Sequence, residues 1–160
     1  MNSRLFVVLA LLLPACGFQP RGQLVHLPAA MQPLFLTGLP ESHEFMRVLR
    51  QALYRDGIRL ARSEREAGAL LRIRHLKHER EVFSVNANNK AVEYELVYRL
   101  TFSLQAPPGS TPRKGEPLIV RRIIYEPGGE LLGRVREARM REKDVYHDLA
   151  RRLIRQLAAM

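Results

Sequence analysis

Cysteine is nearly absent from this sequence: Cys16 is the only one in 160 residues. That excludes an internal disulfide and any zinc site built from several thiolates. Tryptophan is missing, and aspartate occurs only as Asp56, Asp144 and Asp148. A hydrolase needs a nucleophile, a base and an orienting acid within reach of one another. Asp144 and Asp148 stand one helical turn apart among Arg141, Arg151 and Arg152, the pattern of a salt-bridged surface. Neither G-x-S-x-G nor GxGxxG occurs, so no enzyme is expected. Lysine is scarce too, with Lys77, Lys90, Lys114 and Lys143 alone, although the formal charge is +10. The charge is therefore carried by arginine, whose planar fork matches phosphate and carboxylate oxygens; a GC-rich coding sequence gives the same bias. Such an excess points to an anionic partner: nucleic acid, an acidic membrane surface or a phosphorylated ligand. His26, His43, His75, His78 and His147 are dispersed. His75 and His78 lie three apart on strand-like sequence and so face opposite ways. No metal and no cofactor is expected.

Long apolar runs are lacking as well, except for residues 5–13. Nine apolar residues are too few for a membrane span, which takes about 20, but they suit the core of a secretory signal after Arg4. Leu13-Pro14-Ala15-Cys16-Gly17 resembles the bacterial lipobox, with Pro14 where Ala, Ser or Thr is usual. The resemblance implies that residues 1–15 are a cleaved signal peptide and that Cys16 carries covalent S-diacylglycerol and N-acyl (palmitate) chains. One chain holds a protein to a membrane only marginally, whereas two or three anchor it. By resemblance to the sorting rule of enteric bacteria, Gly17 rather than Asp after the cysteine implies the outer membrane. Export also redirects the charge: nucleic acid is not an expected partner in the periplasm, whereas lipopolysaccharide phosphates are abundant there.

Residues 16–32 are rich in proline and glycine and read as a lipidated tether, followed by one domain over 33–160. Leu34–Leu36 form a short first strand between Pro33 and Gly38. Ser42 is placed to cap a helix over 43–56, with Phe45, Val48, Leu49, Ala52 and Leu53 as its apolar stripe and Gly57 as a left-handed stop. Residues 69–85 read as an irregular strand with a bulge or exposed edge, and Asn86–Asn89 as a turn. Beyond it, Val92, Tyr94, Leu96, Tyr98, Leu100, Phe102 and Leu104 alternate with Glu93, Glu95, Arg99, Thr101 and Ser103, together with Val97, a long half-buried antiparallel strand. Residues 117–126 add a strand, and the last ~23 residues a helix with Val145, Leu149, Leu153 and Leu157 on one face. The class is α+β: a two-layer sandwich of two helices on one face of a four-stranded mixed sheet.

RNA binding is a competing reading, because Tyr94, Tyr98 and Phe102 could stack bases. Their alternation with charged residues instead fits a core stripe. Basic residues at connecting positions are better candidates: Lys90 after the hairpin tip, Arg113 and Lys114 in the proline-rich loop, Arg134 and Arg136 between the last strand and helix. They either converge on a phosphate or are scattered solubilising charge.

Taken in order, Cys16-Gly17-Phe18-Gln19-Pro20-Arg21-Gly22, the lead into Pro33-Leu34-Phe35-Leu36, the helix followed by Gly57-Ile58, Glu93-Tyr94-Glu95-Leu96, Tyr125-Glu126-Pro127, Leu131-Leu132-Gly133 and Asp148-Leu149-Ala150 resemble the lipopolysaccharide-assembly lipoproteins (LptE, or RlpB). Gln19-Pro20 departs from the family's usual His-Leu. The resemblance implies a plug inside the outer-membrane β-barrel LptD, assistance to that barrel's assembly, and contact with lipopolysaccharide on its way to the outer leaflet. It carries the lipopolysaccharide role onto Lys90 and Arg134, with Arg136, Arg113 and Lys114 as further candidates. The alternative is a periplasm-facing adaptor lipoprotein of another envelope complex that does not touch lipopolysaccharide.

Overall fold

A computed structural model describes residues 25–126 and 131–160, and for residues 131–139 the backbone only. Cys16 and the signal sequence lie outside the described residues. The elements are β1 (Leu34–Thr37), α1 (Glu44–Arg55), β2 (Ala69–Val85), β3 (Ala91–Gln105), β4 (Arg113–Lys114), β5 (Leu118–Tyr125) and α2 (Leu131–Ala158), with short 3-10 turns at Ala29–Met31 and Glu64–Glu66. β1 runs parallel to β2, and β2, β3 and β5 are successive antiparallel neighbours. β4 pairs with Ser103 and Leu104, on the edge of β3 that β5 occupies further along. β4 and β5 are therefore one edge strand interrupted near Gly115, and the sheet is in effect four-stranded and mixed. Two helices on such a sheet give the expected α+β class.

The alternation along β3 does what its pattern requires: Tyr98, Leu100, Phe102 and Leu104 are buried under the helices. β2 is less regular. Ala69, Leu71 and Ile73 are buried, opposite the same face of β3, and then the register shifts between Ile73 and His75. A bulge of this kind places two residues against one and changes which side chains face inward. Beyond it the inward set is Leu76, His78, Arg80 and Val82, opposite Leu100, Tyr98, Leu96 and Tyr94. His75 and His78 do face opposite ways, and His78 stacks on Tyr98 at 5.5 Å between ring centroids.

α1 is capped by His43, not by Ser42: the His43 Nδ1 accepts a hydrogen bond from the Phe45 amide at 3.1 Å. Glu44 in the first turn and Arg55 in the last complement the helix dipole. Gly57, at φ +73°, takes the left-handed conformation after the helix. The hub of the core is Tyr146 of α2. Its ring lies 5.7 Å from Phe45 of α1 and 6.2 Å from Tyr98 of the sheet, so one side chain joins both helices to the sheet. Its hydroxyl donates to Glu142 Oε1 at 2.5 Å. Burial first, then that bond, pushes the Tyr146 phenol well above its ordinary range. Leu27, in the stretch read as tether, is buried in the core.

The two helices differ in reach. α1 is about 18 Å long and α2 about 42 Å at 1.5 Å per residue, whereas β2 spans about 55 Å at 3.3 Å per residue. The far half of the β2–β3 hairpin consequently extends past α1. The sheet face opposite the helices is covered by neither.

Candidate functional site

The hairpin tip is a tight turn. Asn86 Oδ1 accepts from the amides of Asn88 and Lys90, and Asn89 adopts φ +56°. Lys90 thus sits at the extreme end of the sheet. β5 ends beside it, with Tyr125 opposite Glu93 and the Glu126 amide donating to Val92 O at 2.7 Å. α2 begins at Leu131, so Arg134 and Arg136 belong to its first turns and not to a connecting loop. Gly133 and the run of arginines hide that start, because glycine is a poor interior helix residue.

The five basic candidates do not converge. Arg113 and Lys114 are not in a loop but form β4, opposite Leu104 and Ser103. They lie twelve β3 residues from the Lys90 end, about 40 Å away. Only Lys90 and the first turns of α2 share one end. Arg113 shares the helix side with Leu104 and donates to the Met160 carbonyl, at the C-terminal end of α2, where a cation suits the helix dipole.

The hairpin end also carries side chains that the sequence alone did not single out. The Arg80 guanidinium carbon lies 3.6 Å from the centroid of the Tyr94 ring, and Arg80 pairs with Glu126 at 2.7 Å. Between β5 and α2 is an open groove of about 270 Å³, lined by Leu96, Arg122, Ile124, Tyr125, Arg141 and Val145 among others. The same end of the molecule carries large apolar side chains in water, of which Ile123 and Tyr125 line the groove. Val82, Phe83 and Val85 are on the hairpin, Ile123 and Tyr125 on β5 and Met140 on α2; among the described residues only Tyr54 is a comparable exposed side chain elsewhere. Cations beside exposed apolar groups suit an amphipathic anion or a partner surface.

One wall of this groove is held by Asp148. Its carboxylate takes Arg122 at 3.2 Å, Arg152 at 3.1 Å and Arg151 at 3.8 Å. Arg152 also donates to the Ile119 carbonyl at 3.3 Å. Burial raises the Asp148 pKa, but the bond from Arg152 and the charges of Arg152, Arg122 and Arg151 outweigh it, leaving a net lowering. A carboxyl whose folded pKa is lowered contributes stability above its unfolded value, near 3.9, that is lost as pH falls through the folded value. Asp148→Asn is expected to lose about 1–2 kcal/mol at pH 7. Urea midpoints for the two proteins should draw together below about pH 4; a gap that is constant with pH would show that the Asp148 charge contributes nothing.

Known proteins share both the sequence pattern and the fold of this chain. The family described as lipopolysaccharide-assembly, LptE, matches residues 31–157, most of the chain. Among solved structures, the fold is similar to rare lipoprotein B from Shewanella oneidensis, with a TM-score of 0.68 and 23% identity over 79% of this chain and 93% of that one. It is also similar to an uncharacterized lipoprotein B from Nitrosomonas europaea, at TM-score 0.71 and 22% identity over 89% and 91%. A minor lipoprotein from Acinetobacter baumannii is similar at TM-score 0.60 and 21% identity over 79% and 90%. At these identities the likeness concerns the fold. No curated protein matches the sequence. The family match, running from the 3-10 turn before β1 to the last turn of α2, carries the conclusion: the chain belongs to the LptE family of lipopolysaccharide-assembly proteins.

Proposed function

We propose that this chain is an outer-membrane lipoprotein, anchored on the periplasmic side by acyl chains on Cys16. In this reading it plugs the LPS-assembly β-barrel LptD, assists that barrel's assembly and contacts lipopolysaccharide during insertion into the outer leaflet. Family membership supports the general role. The observation that carries the finer reading is the hairpin end, where Lys90 stands at the tip, Arg122 and Arg141 line the groove, and exposed apolar side chains share the same end. A phosphorylated glycolipid offers the matching pair of surfaces, anionic and apolar. A wide β-barrel has a polar interior, and the charged flanks of this domain suit enclosure there. Lys90 and Arg134, followed by Arg136, are the ligand contacts of this reading. Arg113 and Lys114, at the far end, do not share that ligand.

The test is purification of a C-terminally tagged chain from outer membranes in mild detergent, with partner protein and bound lipopolysaccharide both quantified. A large β-barrel recovered one to one, carrying lipopolysaccharide, is expected. Lys90→Asp with Arg134→Asp should keep the barrel and lower the recovered lipopolysaccharide at least tenfold. Recovery with other envelope proteins and no barrel would instead favour the adaptor role, and unchanged lipopolysaccharide in the double variant would remove Lys90 and Arg134 from the ligand set.

A further inference from the structure

The sheet face opposite the helices divides by charge. Toward the hairpin tip it carries Glu79, Glu81, Glu93 and Glu95, with Arg121 pairing Glu95 at 2.9 Å. Toward the base it carries only cations. Arg72, Ser103 and Lys114 are directly opposite one another across three strands, and so share this face. Arg74, at the bulge, joins Arg72, Leu70, Ser103, Gln105 and Pro112 in lining a cleft of about 250 Å³. One step further, Lys77 stands directly opposite Arg99.

Two features mark this base. First, Arg72, Arg74, Lys77, Arg99 and Lys114 gather on one face and, like several scattered surface cations such as Arg59 and Arg62, make no ion pair among the described residues. Lys77 and Arg99 are like charges directly opposite, an arrangement that is destabilising on a sheet, and Arg72 and Arg74 add two cations at the cleft itself, with Lys114 in line with Arg72 across Ser103. Second, Ser103, which carries a hydroxyl and stands directly opposite Arg72, lines the cleft with the two arginines. Guanidinium forks beside a hydroxyl and an ammonium are the donor set that phosphate takes up, several oxygens at once.

We propose that this basal cleft binds a phosphate group, with Arg72 and Arg74 as its forked donors and Lys114 as the third charge. Leu70 and Pro112 give the cleft apolar walls for whatever carries the phosphate. The site lies about 40 Å from Lys90 and does not rest on the lipopolysaccharide reading of the hairpin end. The chain enters the domain at this same end, where the Gln32 side chain donates to Leu27 O and the Gly68 amide donates to Pro33 O. From Cys16 to Val25 the chain can span at most about 30 Å, so a phosphate borne by the lipid of an anchoring membrane is within reach. A soluble phosphate ester has the same chemistry.

The experiment uses the full-length chain in neutral detergent, titrated separately with phosphatidylglycerol in the micelles and with glycerol 3-phosphate in solution, at low and moderate salt. Binding in either arm, weakened at least tenfold by Arg72→Glu with Arg74→Glu, is the expected result. Binding only in the micelle arm assigns a lipid headgroup; binding in both assigns the phosphate itself. Arg47→Glu with Arg55→Glu, which changes the charge equally on the exposed side of α1, should shift affinity less than about twofold, and Lys90→Asp with Arg134→Asp should leave it unchanged. Thermal unfolding monitors that each variant is folded. Binding in neither arm, or equal loss in the α1 variant, overturns the proposal.

Discussion

Phe102→Ala is expected to destabilise the protein by about 3–5 kcal/mol, a large share of the 5–15 kcal/mol that holds a typical domain together. Phe102 is 1% exposed and lies on the helix-covered face of β3. Its ring also fills the space over Gly115: a β-carbon at Gly115 would come within 2.1 Å of the ring, and the Gly115 amide donates to Phe102 O at 3.2 Å. The two positions should therefore couple. In the native background Gly115→Ala forces the ring aside and costs about 1–3 kcal/mol. With Phe102 already alanine, that β-carbon has room, and the second substitution should cost little. Urea unfolding of the four proteins of the cycle measures the difference. Strictly additive costs would mean that the ring does not pack over Gly115.

Gly38→Ala should cost about 2–5 kcal/mol, by another route. Gly38 follows β1 with φ +104°, outside the usual range of residues with a side chain. An added β-carbon would stand 2.0 Å from the Ile73 carbonyl oxygen, which is backbone of β2 and cannot rotate away. Strain of about 1–2 kcal/mol at the left-handed residue adds to the separation of β1 from β2 needed to relieve the clash. β1 is short and pairs with β2 over four residues, so the damage should appear there first. Hydrogen exchange at the Phe35 and Thr37 amides is expected to accelerate well ahead of that at Leu100 and Phe102. Unchanged exchange along β1 would contradict this account.

Much of the architecture was legible because it rests on local periodicity. The stripe from Phe45 to Leu53 is buried as expected, and so is the alternation from Tyr98 to Leu104, whereas Val92, Tyr94 and Leu96 are only half-buried and Val97 and Ser103 of the other face are buried too. What depends on distant neighbours was not legible. β4 is only two residues long and exists because Ser103 and Leu104 present an open edge to Arg113 and Lys114; the local sequence is that of a loop. His43 rather than Ser42 caps α1 because its ring also lies 6.1 Å from that of Tyr146, a contact from the other end of the chain. The candidate site failed in the same way. Position at a connecting segment does not reveal which end of a sheet that segment occupies, so Lys90 and Lys114 looked like neighbours. Arg80 and Arg122 look like ordinary outward charges until the pairing shows that both share the helix-covered side of the hairpin.

The register shift between Ile73 and His75 bears on how the hairpin finds its pairing. A long, uniformly alternating hairpin can slide by two residues and still present every apolar side chain to the correct side, so such errors are hard to reject. Here the inward set on β2 changes from odd to even positions between Ile73 and His75, and the register shifts again near the tip, between Val82 and Ser84 and between Ser84 and Val85. A two-residue slide would carry that change of parity away from its partner at Thr101 and set Arg74 or His75 where an apolar residue belongs. The irregularity in mid-strand thus acts as an index mark along the ribbon, making misaligned arms unequal in energy to the aligned one while the chain is still folding.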